Sequence, residues 1–563
     1  MAIEGFHPSF VFLIGAVVAT FTRGTLRSVV MVATPIISFA CLRGLPLGDS
    51  FVVEIAQWTL TFSHRDELSW IFGLLFHLAA LLAVIYSLHT RNRMEQVSAL
   101  VYAASAIGAV LAGDFLTLFI WWEMLALSST FVVFAGHQRR SMATGLRYFA
   151  FQIVSGLCLL TGILLYSNSG MSLELGRLDL ATPGTMWILL AFGIKAGFPL
   201  VHSWIVDTYP AASATGTVFL CAFTTKTAVY ALARCFPGTE ELITIGVVMT
   251  CFPIFYAIIE NDLRKVLSYS MINQIGFMVV GIGIGTELAI NGAVAHAFNE
   301  VLFKGLLFMS MGAVLHVTGK SRGTDLGGLW KKMPWTTGLC IVGAASISAV
   351  PLFSSFVSKS MVMAAAMEQG HTWLWLLLLF ASAGVLEHAG IKIPYFAFFA
   401  RDRGLEASEP PRNMLLAMSL AALLCILIGC RPDLLYSMLP YEVSFEPFTT
   451  THVLTQIQLL LFASMAVVVL MKTGIYPPEL VKENLDVDVI PRLGGRALLR
   501  WLRGTFARVT TRLSVMVLDR IPAAIAGPRG PGQLQMSLQW RLVLPGLLLV
   551  VALLAFLIAN LYG

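Results

Sequence analysis

Charged residues are scarce in this chain. Only 12% of its 563 residues are Asp, Glu, Lys or Arg, whereas 57% are hydrophobic. An ordinary soluble domain carries about twice that charged fraction. The composition therefore excludes a soluble globular protein of this length.

Several motif classes are also missing. The eight cysteines form no C-x-x-C pair and no Cys/His cluster with zinc or iron–sulfur spacing. There is no P-loop, H-E-x-x-H or nucleophile elbow, and Gly281-x-Gly283-x-Gly285 ends an apolar run with no strand before it. The basic segment of the chain, residues 472–541, is too short, and too firmly tethered to the membrane, to indicate nucleic-acid binding. We therefore expect no metal, no cofactor and no nucleic-acid partner, and a transporter subunit rather than an enzyme.

Long apolar runs are what the chain does have. Each is long enough to cross a hydrocarbon layer of ~30 Å as a helix. This pattern predicts an all-α integral membrane protein with about 14–16 transmembrane helices. The sixteen candidate spans are 8–22, 25–42, 67–89, 96–112, 114–134, 142–166, 185–205, 213–235, 242–260, 266–285, 288–317, 336–366, 372–400, 413–430, 453–471 and 542–561.

Loop charges predict the orientation of these spans. With the N-terminus outside, sixteen Lys and Arg residues fall in short inside loops and five in outside loops. This bias satisfies the positive-inside rule, and both termini then lie outside. The predicted location is the cell inner membrane.

Two stretches are not predicted to span. Residues 50–65 combine β-branched and aromatic residues with partial alternation, which is typical of a short external hairpin. Residues 472–541 carry a net charge of +6. Within them, 496–520 has one apolar and one basic face, which favours a C-terminal amphipathic helix at the inner interface over a solvated linker.

The predicted spans contain ionisable residues, each costing about 2.5–3.5 kcal/mol at a helix centre. Their number favours a function over chance, although a lysine near a helix end, such as Lys359 or Lys392, can also extend to the interface. The main candidates are Glu123, Lys195, Lys226, His296, Lys304 and Lys359. The accessory candidates are His202, Asp207, Glu300, Glu387, His388 and Lys392.

The charged pattern repeats along the chain. Pro199 follows Lys195 and Pro351 precedes Lys359, so the seventh and twelfth helices are predicted to be discontinuous. Five spans separate the two breaks, which predicts two inverted five-helix repeats. A lysine that gains and loses a carboxylate partner in a dry site can take up and release a proton, so the set indicates a proton relay.

Several stretches resemble a known family. GDFLTLFIWWEMLALSS, ENDLRKVLSYSMINQIGFMVVGIGIG, HAFNEVLFKGLLFMSMGAV and AVPLFSSFVSK are similar to the antiporter-like membrane subunits shared by Mrp-type cation/proton antiporters and respiratory complex I (NADH:quinone oxidoreductase). The D-type subunit of the Mrp antiporters is the member that the chain resembles most. The match is strong from about 95 to 365 and weaker at 455–471 and 484–500.

The resemblance implies a role for each main candidate. Glu123 matches the fifth-span glutamate and Lys195 its ion-pair partner on the broken seventh span. Lys226 matches the central lysine, and Lys359 the exit-side lysine of the broken twelfth span. His296 and Lys304 match the relay of the eleventh span. Glu300 stands where some relatives have a second relay histidine, and Lys392 matches no shared role.

The chain departs from the family in two places. Trp204-Ile205-Val206-Asp207 lacks the usual proline of W-L-P-D, and sixteen spans exceed the fourteen usual for the D-type subunit. We expect segments 1–94 (first three spans), 95–400 (translocating core), 401–471 (additional spans), 472–541 (basic interfacial segment) and 542–563 (last span).

Three functions stay open at this point. The first is a proton-translocating subunit of a multi-subunit Na+/H+ antiporter, with other membrane subunits, lipid, protons and a monovalent cation as partners. The second is the proton-pumping subunit of a complex I-like or hydrogenase-like redox complex. The third is a membrane partner in inorganic-carbon uptake.

Overall fold

A computed structural model describes residues 5–55, 58–136, 139–477, 479–480, 484 and 486. The predicted amphipathic helix 496–520 and the predicted last span 542–561 lie outside these residues, as does nearly all of the basic segment. The described chain is helical apart from one hairpin.

The helices follow the predicted spans. They are α1 Pro8–Phe21, α2 Gly24–Gly44, α3 Glu67–Ser87, α4 Arg93–Leu111, α5 Phe115–Phe134, α6 Arg139–Asn168, α7 Thr185–Ala196, α8 Ser203–Ala211, α9 Gly216–Ala222, α10 Thr224–Cys235, α11 Glu241–Ile259, α12 Leu263–Ile284, α13 Glu287–Thr318, α14 Pro334–Ile347, α15 Ser354–Glu368, α16 Thr372–Val385, α17 Lys392–Pro394, α18 Arg412–Cys430, α19 Asp433–Tyr436 and α20 Thr450–Thr473.

Shorter elements complete the set. Two 3-10 turns occupy Gly323–Asp325 and Leu329–Lys331, and two π-helical turns, Leu386–Ile391 and Tyr395–Phe399, flank α17. Twelve helical segments of the described chain are long and apolar enough to cross a membrane, and α1, α7 and α14 are shorter apolar helices. Fifteen of the sixteen predicted spans therefore coincide with helices.

The predicted hairpin is present at the start of the chain. Strands β1 Gly48–Ile55 and β2 Trp58–Arg65 pair antiparallel, with Gly48 opposite Arg65. The Asp114 carboxylate accepts a hydrogen bond from the Thr61 N–H at 2.6 Å and caps α5 through the Thr117 N–H at 2.8 Å. One side chain thus fixes the hairpin to the start of the helix that carries Glu123.

The seventh span is interrupted at Pro199, as its sequence predicts. The chain passes from α7 to α8 through Gly197 and Leu200, whose φ values are +79° and +73°. The Phe198 N–H donates to the carbonyl of Gly193, five residues earlier, at 2.9 Å. The break therefore ends α7 beside Lys195, its penultimate residue.

The twelfth span is interrupted in the same way at Pro351. Ala349 and Leu352 have φ values of +56° and +74°, again two residues before and one residue after the proline. The Val350 N–H donates to the carbonyl of Ala345, five residues earlier, at 3.1 Å. Two distant stretches of sequence thus make the same backbone turn.

Helix α13 lies between the two breaks. It has 32 residues, nearly all of them buried from Ala289 to Val314. It packs against α12, α14, α15 and α18. This helix carries His296, Glu300 and Lys304 at intervals of four residues, so these three candidate residues lie along one face of a single helix.

Candidate functional site

Lys195 lies at the first break and is completely buried. Its Nζ donates to the backbone carbonyl of Trp122 at 2.7 Å and lies 4.2 Å from the centroid of the Trp122 ring. This position stabilises the ammonium through a carbonyl oxygen and an aromatic face. One residue thus supplies both contacts.

Glu123 follows Trp122 on α5 and acts on Lys195 from nearby. The direct ion pair implied by the family is not formed among the described residues, because the Lys195 ammonium points at the Trp122 carbonyl instead. A Cβ atom on Gly156 would collide with the Glu123 carboxylate, so α6 makes room for that side chain only because it has glycine there. Within the described chain, Glu123 Oε1 has no hydrogen-bond partner.

The centre of the site is an ion pair between Lys226 on α10 and Glu300 on α13. Neither side chain has any exposed surface. Lys226 Nζ also donates to the carbonyl of Cys221 at 3.0 Å. That carbonyl is available because α9 ends at Ala222 and α10 begins only at Thr224, so the helical hydrogen bonding is interrupted there. Glu300, predicted only as an accessory residue, is therefore the partner of the central lysine.

Lys304 lies one helical turn after Glu300 and is also completely buried. Its Nζ donates to the Ser270 hydroxyl on α12 at 2.7 Å. The Glu300 carboxylate attracts the charge of Lys304, and the charge of Lys226 repels it. One carboxylate thus lies within the electrostatic reach of two buried lysines.

His296 links α13 to the second half of the site. Its Nδ1 is 3.0 Å from the Ser358 hydroxyl on α15, and its Nε2 is 3.2 Å from Gln274 Oε1 on α12. Lys359 follows Ser358 directly and donates to the carbonyl of Ile347, the last residue of α14, at 3.0 Å. Hydrogen bonds therefore connect Gln274 through His296 to Ser358, the residue before Lys359.

Lys359 also lines a cavity of about 350 Å³. Met363, Trp375, His452 and Gln456 form other parts of its wall. Lys359 itself is only 2% exposed, so it does not extend to the interface as a lone lysine near a helix end can.

The accessory candidates other than Glu300 lie in two places. His202 precedes α8, and its Nε2 is 3.2 Å from the Asp486 carboxylate. Asp207 lies nearer the surface, 3.5 Å from Arg147 Nη2, in a pair of which both members are partly exposed. Such an exposed pair contributes little to stability.

The remaining accessory candidates lie in the π-helical turn before α17 and at its start. Lys392 is 2% exposed and donates to the carbonyls of Ile258 and Glu260 at 2.6 and 2.8 Å and to Glu479 at 2.7 Å. These contacts exclude the alternative in which Lys392 extends to the interface. Glu387 accepts a hydrogen bond from the Tyr476 hydroxyl at 2.5 Å, and the neighbouring His388 is buried.

Sequence reasoning missed three kinds of participant. Trp122 binds Lys195 through its backbone carbonyl, which no side-chain pattern reveals. Gln274 and Ser358 are neutral residues, and only their contacts with His296 give them a place in the path. Asp486 lies far from the other candidates in the sequence and outside any predicted helix of the core.

Comparisons with known proteins show what this chain is similar to. Residues 112–384 match the family described as NADH:quinone oxidoreductase/Mrp antiporter, transmembrane region. Hydrogenase-4 component B of Escherichia coli is 26% identical over 425 residues, which cover 67% of this chain and 63% of that protein. The chain therefore spans less than two thirds of that relative's length.

Two other relatives are covered more fully. The D-type subunit of the Na(+)/H(+) antiporter of Alkalihalophilus pseudofirmus is 27% identical over 61% of this chain and 74% of its own length. The N-type subunit of NADH-quinone oxidoreductase from Desulforudis audaxviator is 30% identical over 64% of this chain and 78% of its own length.

A solved structure shares the fold. One chain of the Mrp complex from a Dietzia species aligns with a TM-score of 0.76 over 98% of this chain and 66% of that one, at 22% identity. A likeness at this level of identity establishes the fold alone. Together with the match of residues 112–384 and the 30% identity to the NADH-quinone oxidoreductase relative, it leads to one conclusion: the chain belongs to the family of membrane subunits shared by NADH:quinone oxidoreductase and the Mrp antiporters.

Proposed function

We propose that this chain is the proton-translocating subunit of a multi-subunit Na+/H+ antiporter. The observation that carries the proposal is the completely buried Lys226–Glu300 pair, with Lys304 one turn away on α13. Burying an ion pair costs more free energy than most pairs return. A fold that keeps this pair and further buried lysines retains them for a use other than stability.

The geometry supports proton movement in particular. A buried lysine is easily deprotonated when its carboxylate partner moves away, and is charged again when the partner returns. Glu300 acts on both Lys226 and Lys304, so a proton held at one lysine affects its retention at the other. His296, Ser358 and Lys359 extend the series toward the cavity at the second break.

The first break supplies a second carboxylate–lysine set. Glu123 and Lys195 lie side by side without a direct ion pair, so a small movement of either side chain changes their interaction strongly. In the proposed cycle, uptake or release at this set alters the charge felt by Lys226. His202 and Asp207 lie near the inner end of the same broken helix. Glu387 and His388 lie in the middle of the thirteenth span, and Lys392 follows them one turn later.

The proposed partners are other membrane subunits, lipid, protons and a monovalent cation. Na+ is proposed because relatives with a similar sequence include the D-type subunit of an Na(+)/H(+) antiporter. The proposed location is the cell inner membrane with both termini outside, which rests on the distribution of loop charges.

The test is cation-driven proton flux in everted vesicles that contain the assembled complex. Lys226→Met should abolish the flux, by on the order of 100-fold or more, because the central acceptor is lost. Lys331→Met, at an exposed residue of an inner loop, is the matched control and should transport normally. Normal flux in Lys226→Met, with the complex intact, would contradict the proposal.

A redox complex is the second candidate. It is favoured by the 26% identity to Hydrogenase-4 component B, which extends over 67% of this chain. The buried residues would carry protons in the same way, but oxidation of a substrate elsewhere in the complex would drive them. Purification of the native complex decides between the two: flavin or iron–sulfur subunits indicate a redox complex, and membrane subunits alone indicate an antiporter.

A further inference from the structure

The chain after α20 returns to the accessory residues of the core. Four of its described residues, Tyr476, Glu479, Asn484 and Asp486, are here called the strap. Tyr476 binds Glu387 and Glu479 binds Lys392. The strap therefore has polar contacts with two of the buried groups that the sequence singled out.

The other two strap residues lie farther along. Asn484 Nδ2 donates to the carbonyl of Ile259 at 3.2 Å and to the Glu260 carboxylate at 3.3 Å. Both acceptors are at the inner end of α11. These contacts fix Asn484 at that end of α11.

Asp486 is the deepest residue of the strap. Its side chain is 5% exposed, and that of His202 is 1% exposed. The Tyr269 hydroxyl donates to Asp486 Oδ2 at 2.7 Å, and His202 Nε2 is 3.2 Å from the same oxygen. A carboxylate that only fastened a surface segment would gain nothing from this burial, which costs free energy.

The two ring nitrogens of His202 have different surroundings. The Nε2 side of the ring faces Asp486, and the ring packs on Phe252 with centroids 4.6 Å apart. Nδ1 is buried and has no hydrogen-bond partner among the described residues. An imidazole with one nitrogen on an acid and the other unpartnered can accept a proton on one side and release one on the other.

The position of this pair connects it to the relay. His202 lies between the break at Pro199 and helix α8, seven residues after Lys195 in the chain. Tyr269 precedes Ser270, whose hydroxyl accepts a hydrogen bond from Lys304. The two residues that hold Asp486 thus belong to the same elements that hold two of the buried lysines.

We propose that Asp486 and His202 form the inner-face proton uptake site of this subunit, which the strap completes. The Asp486 carboxylate takes a proton from water at the inner face and passes it to His202 Nε2. The ring then releases the Nδ1 proton to water leading to the buried lysines, which leaves its remaining proton on Nε2. A flip of the ring turns the unprotonated Nδ1 toward Asp486, whose carboxylate is already regenerated, and the next proton can enter. No bond other than those to the proton changes, and Tyr269 positions the carboxylate. This inference rests on the proposed function.

The test uses the whole complex in everted vesicles, whose inner face is accessible. Asp486→Asn should slow cation-driven proton flux about 100-fold, which is the loss expected when a positioned proton-transfer group is removed. Its solvent isotope effect should rise, because proton uptake becomes the slow step. Asp486→Glu should recover most of the flux. Leu480→Ala, a change at an exposed residue of the same stretch of chain, should leave both quantities unchanged.

The double variant Asp486→Asn/His202→Gln tests whether the pair acts as a unit. It should be no slower than the slower single variant, because both changes remove the same step. The amount of assembled complex is measured in every variant by co-purification of the other subunits.

Three outcomes separate the hypotheses. Wild-type flux in Asp486→Asn, with Lys226→Met inactive, overturns the uptake site and leaves the proposed function standing. Equal loss in Asp486→Asn and Asp486→Glu, with normal isotope effects, also overturns it, because the residue is then structural. Wild-type flux in Lys226→Met overturns the proposed function itself.

Discussion

The two broken helices have the same backbone turn but place different groups around their lysines. In both, the residues two before and one after the proline have positive φ, and the same bond to a carbonyl five residues earlier closes the turn. At the first break, Lys195 has a carboxylate and an indole ring beside it. At the second, Lys359 lines a cavity and lies 5.1 Å from the centroid of the Phe277 ring, and no carboxylate pairs with it among the described residues. A repeated fold has therefore kept its geometry while its electrostatics diverged.

The largest expected effect on stability comes from removing the carboxylate beside a buried lysine. Lys226 should depend on Glu300 much more than Lys195 depends on Glu123. Glu300→Gln leaves the charge of Lys226 without a partner in a completely buried site, and should lower the free energy of unfolding by about 3–5 kcal/mol. Glu123→Gln should lower it by about 1 kcal/mol or less, since Lys195 keeps its carbonyl and ring contacts. Thermal unfolding of the purified protein measures both changes.

The double variant Lys226→Met/Glu300→Met is the control for this comparison. Replacing both charges by apolar side chains should restore stability but not proton flux. Equal shifts of Tm for Glu300→Gln and Glu123→Gln would show that the central pair is no more dependent on its carboxylate than the first break is.

The leucines after the two prolines test whether the breaks are equivalent. Leu200 and Leu352 are 66% and 55% exposed, and each has a left-handed backbone that costs an L-residue about 1–2 kcal/mol. Glycine relieves this strain but gains freedom in the unfolded chain. Leu200→Gly and Leu352→Gly should each raise stability by less than about 1 kcal/mol, and by similar amounts.

Alanine variants at the same positions are the matched controls. They keep the strain and remove the side chain, so the difference between glycine and alanine isolates the backbone contribution. A gain at one break and a loss at the other would break the equivalence of the two turns.

The ion pair between Asp66 and Arg234 gives an effect that depends on pH. Burial alone would raise the pKa of Asp66, but the Arg234 guanidinium and the cap of α3 lower it to about 2. The folded value is below the unfolded one, so the pair stabilises the protein above about pH 4 and loses this contribution as the pH falls toward 2. Asp66→Asn should lower Tm near neutral pH, and its difference from the natural protein should vanish in acid. A constant difference would contradict this origin.

The sequence predicted the parts of the fold that depend on local chemistry. Pro199 and Pro351 remove backbone donors, so the breaks could be placed within a few residues. The hairpin followed from β-branched and aromatic residues, and the spacing of His296, Glu300 and Lys304 placed them on one helix. All of these are properties of neighbouring residues.

The pairings within the site depend on packing between distant elements. Lys226 and Glu300 are 74 residues apart, and nothing in either segment shows that α10 and α13 place them together. Asp486 is 284 residues from His202 and follows the last described helix, where no periodicity indicates a buried contact. The contact between His202 and Asp486 could therefore not be predicted, although His202 itself was a candidate.

Backbone carbonyls bind each of the lysines at the first break, in the centre, at the second break and in α17. Lys226, Lys359 and Lys392 use carbonyls near or just after helix ends, and Lys195 uses one within α5. A carbonyl oxygen is encoded by every codon, so mutation of the residue that bears it leaves the ligand in place. The side-chain partners of these lysines, such as the Glu300 carboxylate at Lys226 and the Glu479 carboxylate at Lys392, can therefore be replaced without loss of the carbonyl contact.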